Sequence, residues 1–188
     1  MNKKLVWTLL IVIGLLASAA AYCAQSRTAP PADIATPHTI KAAGTIQVGF
    51  SPHGGITDMI VAELNAAKKS IEVQAYSFTS APIAKALTDA WKRGVKVRVI
   101  LDESQESGRY TVATYLRNAG VPLHIDRAFA IAHSKIMIVD GAAVITGSFN
   151  FTKAAEENNA ENCLILRGNP ALVALYEKNW QWRWNATN

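Results

Sequence analysis

The stretch HSKIMIVDGAAVITGSFN, residues 133–150, contains most of the side chains in this chain that could do chemistry. An imidazole can attack phosphorus, and an ammonium group with neutral hydroxyl and carboxamide donors suits an oxyanion whose charge is spread over several oxygens. The stretch therefore indicates phosphate chemistry. Its candidate residues are His133, Lys135, Asp140, Ser148 and Asn150, with Gly147 beside them.

A hairpin would bring these groups together. Asp140-Gly141 is a strong signal for a two-residue turn between two strands. If the strands pair directly on each side of that turn, His133 lies opposite Ser148, with Cβ atoms ~5 Å apart. Lys135 shares their face because side chains alternate along a strand. The expected hairpin thus gathers the polar groups at its open end.

Each of these residues also has a structural explanation. Asp140 suits the turn, and Asn150 could be the N-cap of a helix that starts near Phe151, whose positive end would favour an anion. Ser148 could belong to an ordinary strand end, and a single histidine in a strand, such as His133, is usually structural. Their joint placement on one face is what favours a site.

The elements that must position this hairpin alternate between strands and helices from Thr45 onward. This alternation predicts one α/β domain over residues 45–188, with a mixed, largely parallel sheet flanked by helices on both faces. In the last helix, Trp180 and Trp184 at helical spacing are expected to pack against the sheet. Strands are expected at 45–50, 71–78, 95–102, 121–126 and 161–168, with helices at 56–70, 81–94, 111–120 and from Pro170.

The first residues have the pattern of an export signal. Residues 1–21 combine a short basic start, an apolar run and the small residues Ala19-Ala20-Ala21. Cleavage there would lower the formal charge from +5 to +3 by removing two lysines, and would leave no stable membrane association. An uncleaved membrane anchor is the alternative. Residues 22–44, rich in Ala, Pro and Thr, are expected to form a flexible linker.

Other chemistries find little support in the sequence. There is no G-x-x-x-x-G-K-[ST] or complete G-x-G-x-x-G motif, and no Cys/His spacing of a zinc site. The carboxylates of LDESQES, residues 101–107, have no second acidic cluster to complete a two-metal site. Neither a metal nor another cofactor is expected. Cys23 and Cys163 could form a disulfide, but one pair is not a framework.

The pattern H-x-K-x4-D, followed six residues later by G-S-x-N, resembles the signature of the phospholipase D superfamily. The segments AYSFTSAPIAKAL, KRGVKVRVILDE, GSFNFTKAAE and NWQWRWN also resemble the small, exported, metal-independent bacterial endonucleases of that superfamily. The similarity runs from about Gly49 to the C-terminus.

The resemblance implies a role for each motif residue. His133 would be the nucleophile that forms a phosphohistidine. Lys135 and Asn150 would bind the phosphate oxygens, and Ser148 would line the same pocket. The family also has a carboxylate eleven residues after its signature asparagine, which is Glu161 here and would orient the histidine.

Asp140 completes the catalytic set implied by the family, although turn chemistry already accounts for it. Members with a single motif imply a homodimer in which His133 of one subunit attacks and His133 of the other acts as acid and then base. The expected function is hydrolysis of DNA, possibly also RNA, without sequence specificity in the periplasm or outside the cell. The alternative is a membrane-anchored phospholipase of the cardiolipin type.

Overall fold

The computed structural model describes residues 29–106 and 111–187. Strands and helices alternate in these ranges at nearly all the positions that the sequence predicts. The elements in chain order are β1 (Thr45–Phe50), α1 (Ile56–Ala66), β2 (Ser70–Ala75), α2 (Ala81–Lys92), β3 (Lys96–Asp102), a 3₁₀ turn (Glu103–Gln105), α3 (Val112–Asn118), β4 (Leu123–Asp126), β5 (Lys135–Val139), β6 (Ala143–Gly147), α4 (Lys153–Glu157), β7 (Asn162–Arg167) and α5 (Pro170–Ala186).

The strands form one mixed sheet in the order β1-β7-β6-β5-β2-β3-β4. The mixed α/β fold is confirmed, but the expectation of a largely parallel sheet is wrong. Only β2–β3 and β3–β4 pair in parallel, while the other four pairings are antiparallel. A parallel pair needs a long crossover between its strands, and the tight turn between β5 and β6 can only reverse the chain. The connection from β6 to β7 is longer and contains α4, yet it also reverses the chain.

Helices cover both faces of the sheet, as expected. Alternate residues of the central strands point to opposite sides, so Met137 and Val139 of β5 join the core beneath α1, α2 and α3, whereas Ile138 joins the core beneath α5. Trp180 of α5 is only 2% exposed, and its indole N–H donates to the Val73 carbonyl at 3.0 Å. The prediction that α5 packs onto the sheet is confirmed.

The β5–β6 hairpin turns at the predicted residues. Asp140 and Gly141 have φ angles of 55° and 62°, the left-handed conformation that a two-residue hairpin turn requires. The N–H of Ala142 donates to the Val139 carbonyl at 2.9 Å and closes the turn.

The register of this hairpin differs from the predicted one by one residue. Val139 pairs with Ala143 rather than with Ala142, so Ala142 is an additional residue on the second strand. A shift of one residue changes every partner across the hairpin. The predicted pairing of His133 with Ser148 is therefore wrong, although both residues still lie at the same end of the hairpin.

Residues 29–44 form no helix or strand before β1 and contact α5. The Lys178 ammonium pairs with Asp33, and the Asn169 amide donates to the Lys41 carbonyl at 3.1 Å. The predicted signal at residues 1–21, the first part of the predicted linker and Cys23 lie outside the described residues. In the two described ranges, no helix is both long and apolar enough to cross a membrane.

Candidate active site

Five of the predicted site residues meet at one edge of the sheet. His133 directly precedes β5, and Lys135 is its first residue. Ser148 and Asn150 follow the end of β6, while Glu161 directly precedes β7. The strands alternate in direction, so the start of β5, the end of β6 and the start of β7 lie side by side at this edge.

His133 is exposed, and its backbone neighbours are held on both sides. Before it, the N–H of Ala132 donates to the Asp102 carboxylate at 2.7 Å. After it, the carbonyl of Ser134 accepts from the N–H of Tyr76 at 2.9 Å. The Tyr76 ring also packs on the imidazole, with 4.5 Å between ring centroids and 51° between ring planes. The imidazole is thus accessible on a fixed backbone.

Asp102, at the end of β3, is a buried carboxylate that sequence reasoning missed. Burial tends to raise its pKa, but hydrogen bonds from Ser104 and Ala132 and the attraction of His133 outweigh burial and lower it. A negative charge therefore lies near the imidazole. Its position at the carboxyl end of a parallel strand was the available signal, because ligands and catalytic groups often occupy that end.

Lys135 is buried, with 8% of its surface exposed. Its ammonium donates to the His133 carbonyl at 2.8 Å and lies 5.1 Å from the centroid of the Tyr76 ring. Burial lowers the pKa of this lysine, and the attraction of Glu161 opposes that shift. A cation this poorly hydrated can attract a phosphate oxygen more strongly than one in bulk water.

Ser148 bonds to Asn162 at the start of β7. Its Oγ accepts from the Asn162 backbone N–H at 3.0 Å and from the Asn162 amide at 3.2 Å, so its own hydroxyl proton is available to donate. The preceding Gly147 has a φ of 148°, and a Cβ there would lie 2.3 Å from the Asn162 carbonyl oxygen. Glycine is required for this close approach of the two strands.

Asn150 is not a helix cap. The helix expected near Phe151 begins instead at Lys153, and Thr152 caps it by accepting from the N–H of Ala155 at 3.0 Å. The Asn150 Oδ1 atom is buried and has no hydrogen-bond partner among the described residues. A buried polar atom of this kind carries a cost of roughly 1–3 kcal/mol, which a functional role would explain.

Glu161 lies beside the other groups but does not contact the imidazole. Its Oε1 accepts from the Asn159 amide at 3.0 Å, and Ser51 holds its backbone. Within the described ranges, its carboxylate makes no hydrogen bond to His133. Its negative charge acts on Lys135, whose pKa it raises against the effect of burial. The orientation of the histidine by Glu161 therefore stays a prediction.

Asp140 lies at the opposite edge of the sheet, ~17 Å from Lys135 along β5. Its carboxylate accepts from the backbone N–H groups of Lys68, Lys69 and Ser70 at 2.9, 2.6 and 3.0 Å. Burial tends to raise the Asp140 pKa, but these hydrogen bonds outweigh it and lower the pKa. The structure therefore separates Asp140 from the other motif residues and ties it to the turn before β2.

Residues 29–106 and 111–187 contain no group of three His, Cys, Asp or Glu side chains that could hold a metal ion. Cys163, which pairs with Gly147 across β6 and β7, is buried, and burial raises the pKa of its thiol to about 12. This thiol stays protonated at neutral pH and is a poor nucleophile.

Comparison with known proteins places this geometry in a family. Residues 60–184 match the family described as "Cardiolipin synthase, PLD-like domain". The chain is 42% identical over 131 residues to phospholipase D of Rickettsia conorii, covering 70% of this chain and 65% of that protein. It is 34% identical over 125 residues to mitochondrial cardiolipin hydrolase of Xenopus laevis, covering 66% and 59%. The chain thus spans less than two thirds of these relatives.

Solved structures agree with this assignment. Nuc of Salmonella typhimurium, a phospholipase D family member, is 44% identical with a TM-score of 0.73, covering 77% of this chain and 96% of Nuc. NucT of Helicobacter pylori shares the fold, with 22% identity and a TM-score of 0.67 over 76% of this chain and 98% of NucT. The predicted resemblance is confirmed, and the chain belongs to the phospholipase D superfamily.

Proposed function

We propose that this protein is an endonuclease that hydrolyses phosphodiester bonds of DNA, with RNA as a second candidate substrate, without sequence specificity and without a metal ion. The observation that carries the phosphodiesterase chemistry is the set of groups at one sheet edge. His133 offers an exposed imidazole, Lys135 a buried cation, Ser148 a free hydroxyl proton and Asn150 a carboxamide. Together they provide one nucleophile and three groups that can bind phosphate oxygens.

In the first step, a ring nitrogen of His133 attacks phosphorus. A P–N bond forms and the P–O bond to the leaving group breaks, while an acid donates a proton to the leaving oxygen. Lys135, Ser148 and Asn150 bind the non-bridging oxygens, which carry more negative charge in the transition state than in the substrate. Glu161 orients the imidazole once substrate is bound.

In the second step, a water molecule attacks the phosphohistidine. The P–N bond breaks, the new P–O bond forms, and the group that acted as acid accepts the proton of the water. His133 cannot stand on both sides of the phosphorus, so a second imidazole is needed. A two-fold symmetric dimer supplies it, because identical residues meet across the axis of such an interface.

An exposed apolar stripe on the edge strand supports this dimer. Ile46, Val48 and Phe50 of β1 point to the same side and are 65%, 52% and 65% exposed. Phe50 pairs with Asn162, whose amide bonds to Ser148, so the stripe begins at the candidate site. A second subunit that completes the site is well placed to cover it.

The molar mass in solution tests this interface. Val48→Asp should convert the dimer into a monomer and remove activity, while its thermal unfolding stays cooperative. Thr45→Asp is the matched control, because Thr45 is exposed on the other side of the same strand. Light scattering coupled to gel filtration gives the mass. A wild-type protein that is monomeric and fully active would overturn the shared site.

Three observations favour nucleic acid as the substrate. The sequence resembles small exported endonucleases, and the chain covers 96% of Nuc but only 65% of the Rickettsia phospholipase D. The proposed substrate therefore follows Nuc, because the match covers nearly the whole length of Nuc. The formal charge, which is +5 for the full chain and +3 without residues 1–21, also favours an anionic polymer.

The central assay uses the purified protein on plasmid DNA and on single-stranded RNA, with and without EDTA. The proposal predicts nicking and linearisation of the plasmid at an unchanged rate in EDTA, and none with His133→Ala. Loss of cleavage in EDTA contradicts the metal-free mechanism. Cleavage by His133→Ala at the wild-type rate contradicts the assigned nucleophile.

A lipid phosphodiesterase is the second candidate, because relatives at 42% and 34% identity are named phospholipase D and cardiolipin hydrolase. The same groups would then attack a lipid phosphodiester. Liposomes that contain cardiolipin, assayed beside plasmid DNA at equal phosphodiester concentration, decide between the two. A higher kcat/KM on the liposomes would replace the nuclease proposal.

Export to the periplasm or beyond is proposed from residues 1–21. Mass spectrometry of protein from the periplasmic fraction of an expressing bacterium should give a mature N-terminus at Tyr22. A full-length protein in the membrane fraction would favour the anchored alternative.

A further inference from the structure

Ser51, the residue directly after β1, makes two hydrogen bonds to Glu161 and one to Asn159. Its N–H donates to the Glu161 carbonyl at 3.1 Å, and its Oγ accepts from the Glu161 N–H at 3.1 Å. The same hydroxyl donates to the Asn159 carbonyl at 3.0 Å. Ser51 is only 8% exposed. The Ser51 side chain therefore fixes the N–H of Glu161 and the carbonyl two residues before it, while the Ser51 backbone N–H fixes the Glu161 carbonyl.

Asn159 fixes the other end of the glutamate. Its amide donates to Oε1 of the Glu161 carboxylate at 3.0 Å. The Ser51 hydroxyl bonds to the backbone of both Asn159 and Glu161. It therefore fixes the residue that donates this amide bond and the residue that accepts it. The second carboxylate oxygen of Glu161 has no hydrogen-bond partner in the described ranges, so it can accept from a group in the site.

The loop that carries Ser51 is itself anchored. The N–H of His53 donates to the Glu156 carbonyl at 2.7 Å. The Glu156 carboxylate accepts from the N–H groups of Gly55 and Thr57 at 2.9 and 2.7 Å, and from the Thr57 hydroxyl at 2.9 Å. Burial tends to raise the Glu156 pKa, but these bonds lower it, so the anchor is a charged carboxylate at neutral pH.

We propose that Ser51 and Asn159 are positioning residues that hold the Glu161 carboxylate for catalysis, an inference that rests on the proposed role of Glu161. A hydroxyl is suited to this place because it donates and accepts at the same time. A shift of a catalytic group by about 1 Å can cost on the order of a hundredfold in rate. We call Ser51 and Asn159, with their hydrogen bonds to Glu161, the clamp. The clamp links the end of β1, more than a hundred residues earlier in the chain, to the hydrolysis step.

A double-mutant cycle tests the clamp. With a chromogenic phosphodiester such as bis(p-nitrophenyl) phosphate, Ser51→Ala should lower kcat by roughly 10- to 100-fold and leave KM nearly unchanged. In a Glu161→Gln background the same change should cost almost nothing further, because the group that it positions is gone. Equal losses in both backgrounds, or no loss in either, would overturn the inference.

Two further proteins complete the design. Thr88→Ala removes a buried hydroxyl that donates to the Lys85 carbonyl within α2, apart from Glu161 and from the loop that carries Ser51, and it should keep wild-type kcat. If Ser51→Ala does not fold, Asn159→Ala, whose side chain is exposed, is taken through the same cycle with the same expected result.

Crystal structures of wild type and Ser51→Ala separate the clamp from the proposed function. A Glu161 carboxylate that moves by about 1 Å or loses order in the variant supports the clamp even if the wild type cleaves no DNA, in which case only the nuclease proposal fails. A carboxylate in the same place and equally ordered would overturn the clamp, whatever the substrate.

Discussion

The two ends of the β5–β6 hairpin belong to one sequence motif but have opposite hydrogen-bonding states. At the turn, the Asp140 carboxylate accepts three backbone N–H groups. At the open end, His133 is exposed, Lys135 is a buried cation and the Asn150 carboxamide has an unpaired oxygen. Polar groups that are fully bonded stabilise a fold, whereas groups left open are available to a substrate. The motif therefore combines a residue that stabilises the turn with the candidate active site.

The largest expected effect is at the open end. His133→Ala should lower kcat by roughly a thousandfold or more, because it removes the proposed nucleophile, while the melting temperature stays near that of wild type. Stopped assays on plasmid DNA and a thermal melt measure the two quantities. If the variant lost activity only because it unfolds, His133 would stabilise the fold, and the contrast between the two ends of the hairpin would be wrong.

The residues proposed to bind phosphate should come next. Asn150→Ala should lower kcat by about 10²–10³, the usual cost of removing one donor to transition-state charge. It should also leave stability unchanged or slightly higher, because a buried unpaired oxygen is removed. Steady-state kinetics and urea unfolding test both parts. A strongly destabilised variant with normal kcat would assign Asn150 to the scaffold.

Asp140→Asn should show the reverse pattern. The exchange replaces one acceptor oxygen by an N–H donor that faces other donors, so the free energy of unfolding should fall by about 2 kcal/mol. The activity of the folded fraction should stay within about twofold of wild type, because a surviving fold leaves the distant site intact. Denaturant titration and active-site-normalised rates measure the two. A large loss of kcat at full stability would return Asp140 to the catalytic set.

The smallest effect is the pH dependence of that stabilisation. The folded-state pKa of Asp140 is lowered, so its contribution is fully present above the unfolded value of about 4 and is lost as the pH falls through the folded value. The difference in unfolding free energy between wild type and Asp140→Asn should be constant from pH 5 to 7 and shrink below about pH 4. A difference that grows toward acid pH contradicts this assignment.

The helices and strands were predicted well because the apolar periodicity of each one lies within its own sequence. The apolar spacing of α1 and the spacing of Trp180 and Trp184 in α5 depend only on neighbours in the chain. The hairpin register failed because one additional residue, Ala142, decides it, and a two-residue turn signal does not show that residue. The share of parallel pairs failed because the order of strands depends on contacts between distant segments.

In the site too, features that depend on neighbouring residues were predicted, and features that depend on distant segments were not. The spacing of His133, Lys135, Ser148 and Asn150 was readable, since one hairpin and the residues just beyond it carry all four. Tyr76, Asp102 and Ser51 were missed as site neighbours, because each reaches the site from a different strand end. The position of a residue at the end of a strand was the only signal for them, and it does not name their partners.

Trapping the covalent intermediate tests the central claim most directly. The protein is mixed with a short labelled DNA, quenched within a turnover in alkaline denaturant, which preserves the acid-labile P–N bond, and digested for mass spectrometry. The account predicts a nucleotide attached through phosphorus to His133, absent in His133→Ala and retained in Asp140→Asn. Efficient cleavage without an adduct on His133, or an adduct on another residue, would contradict it.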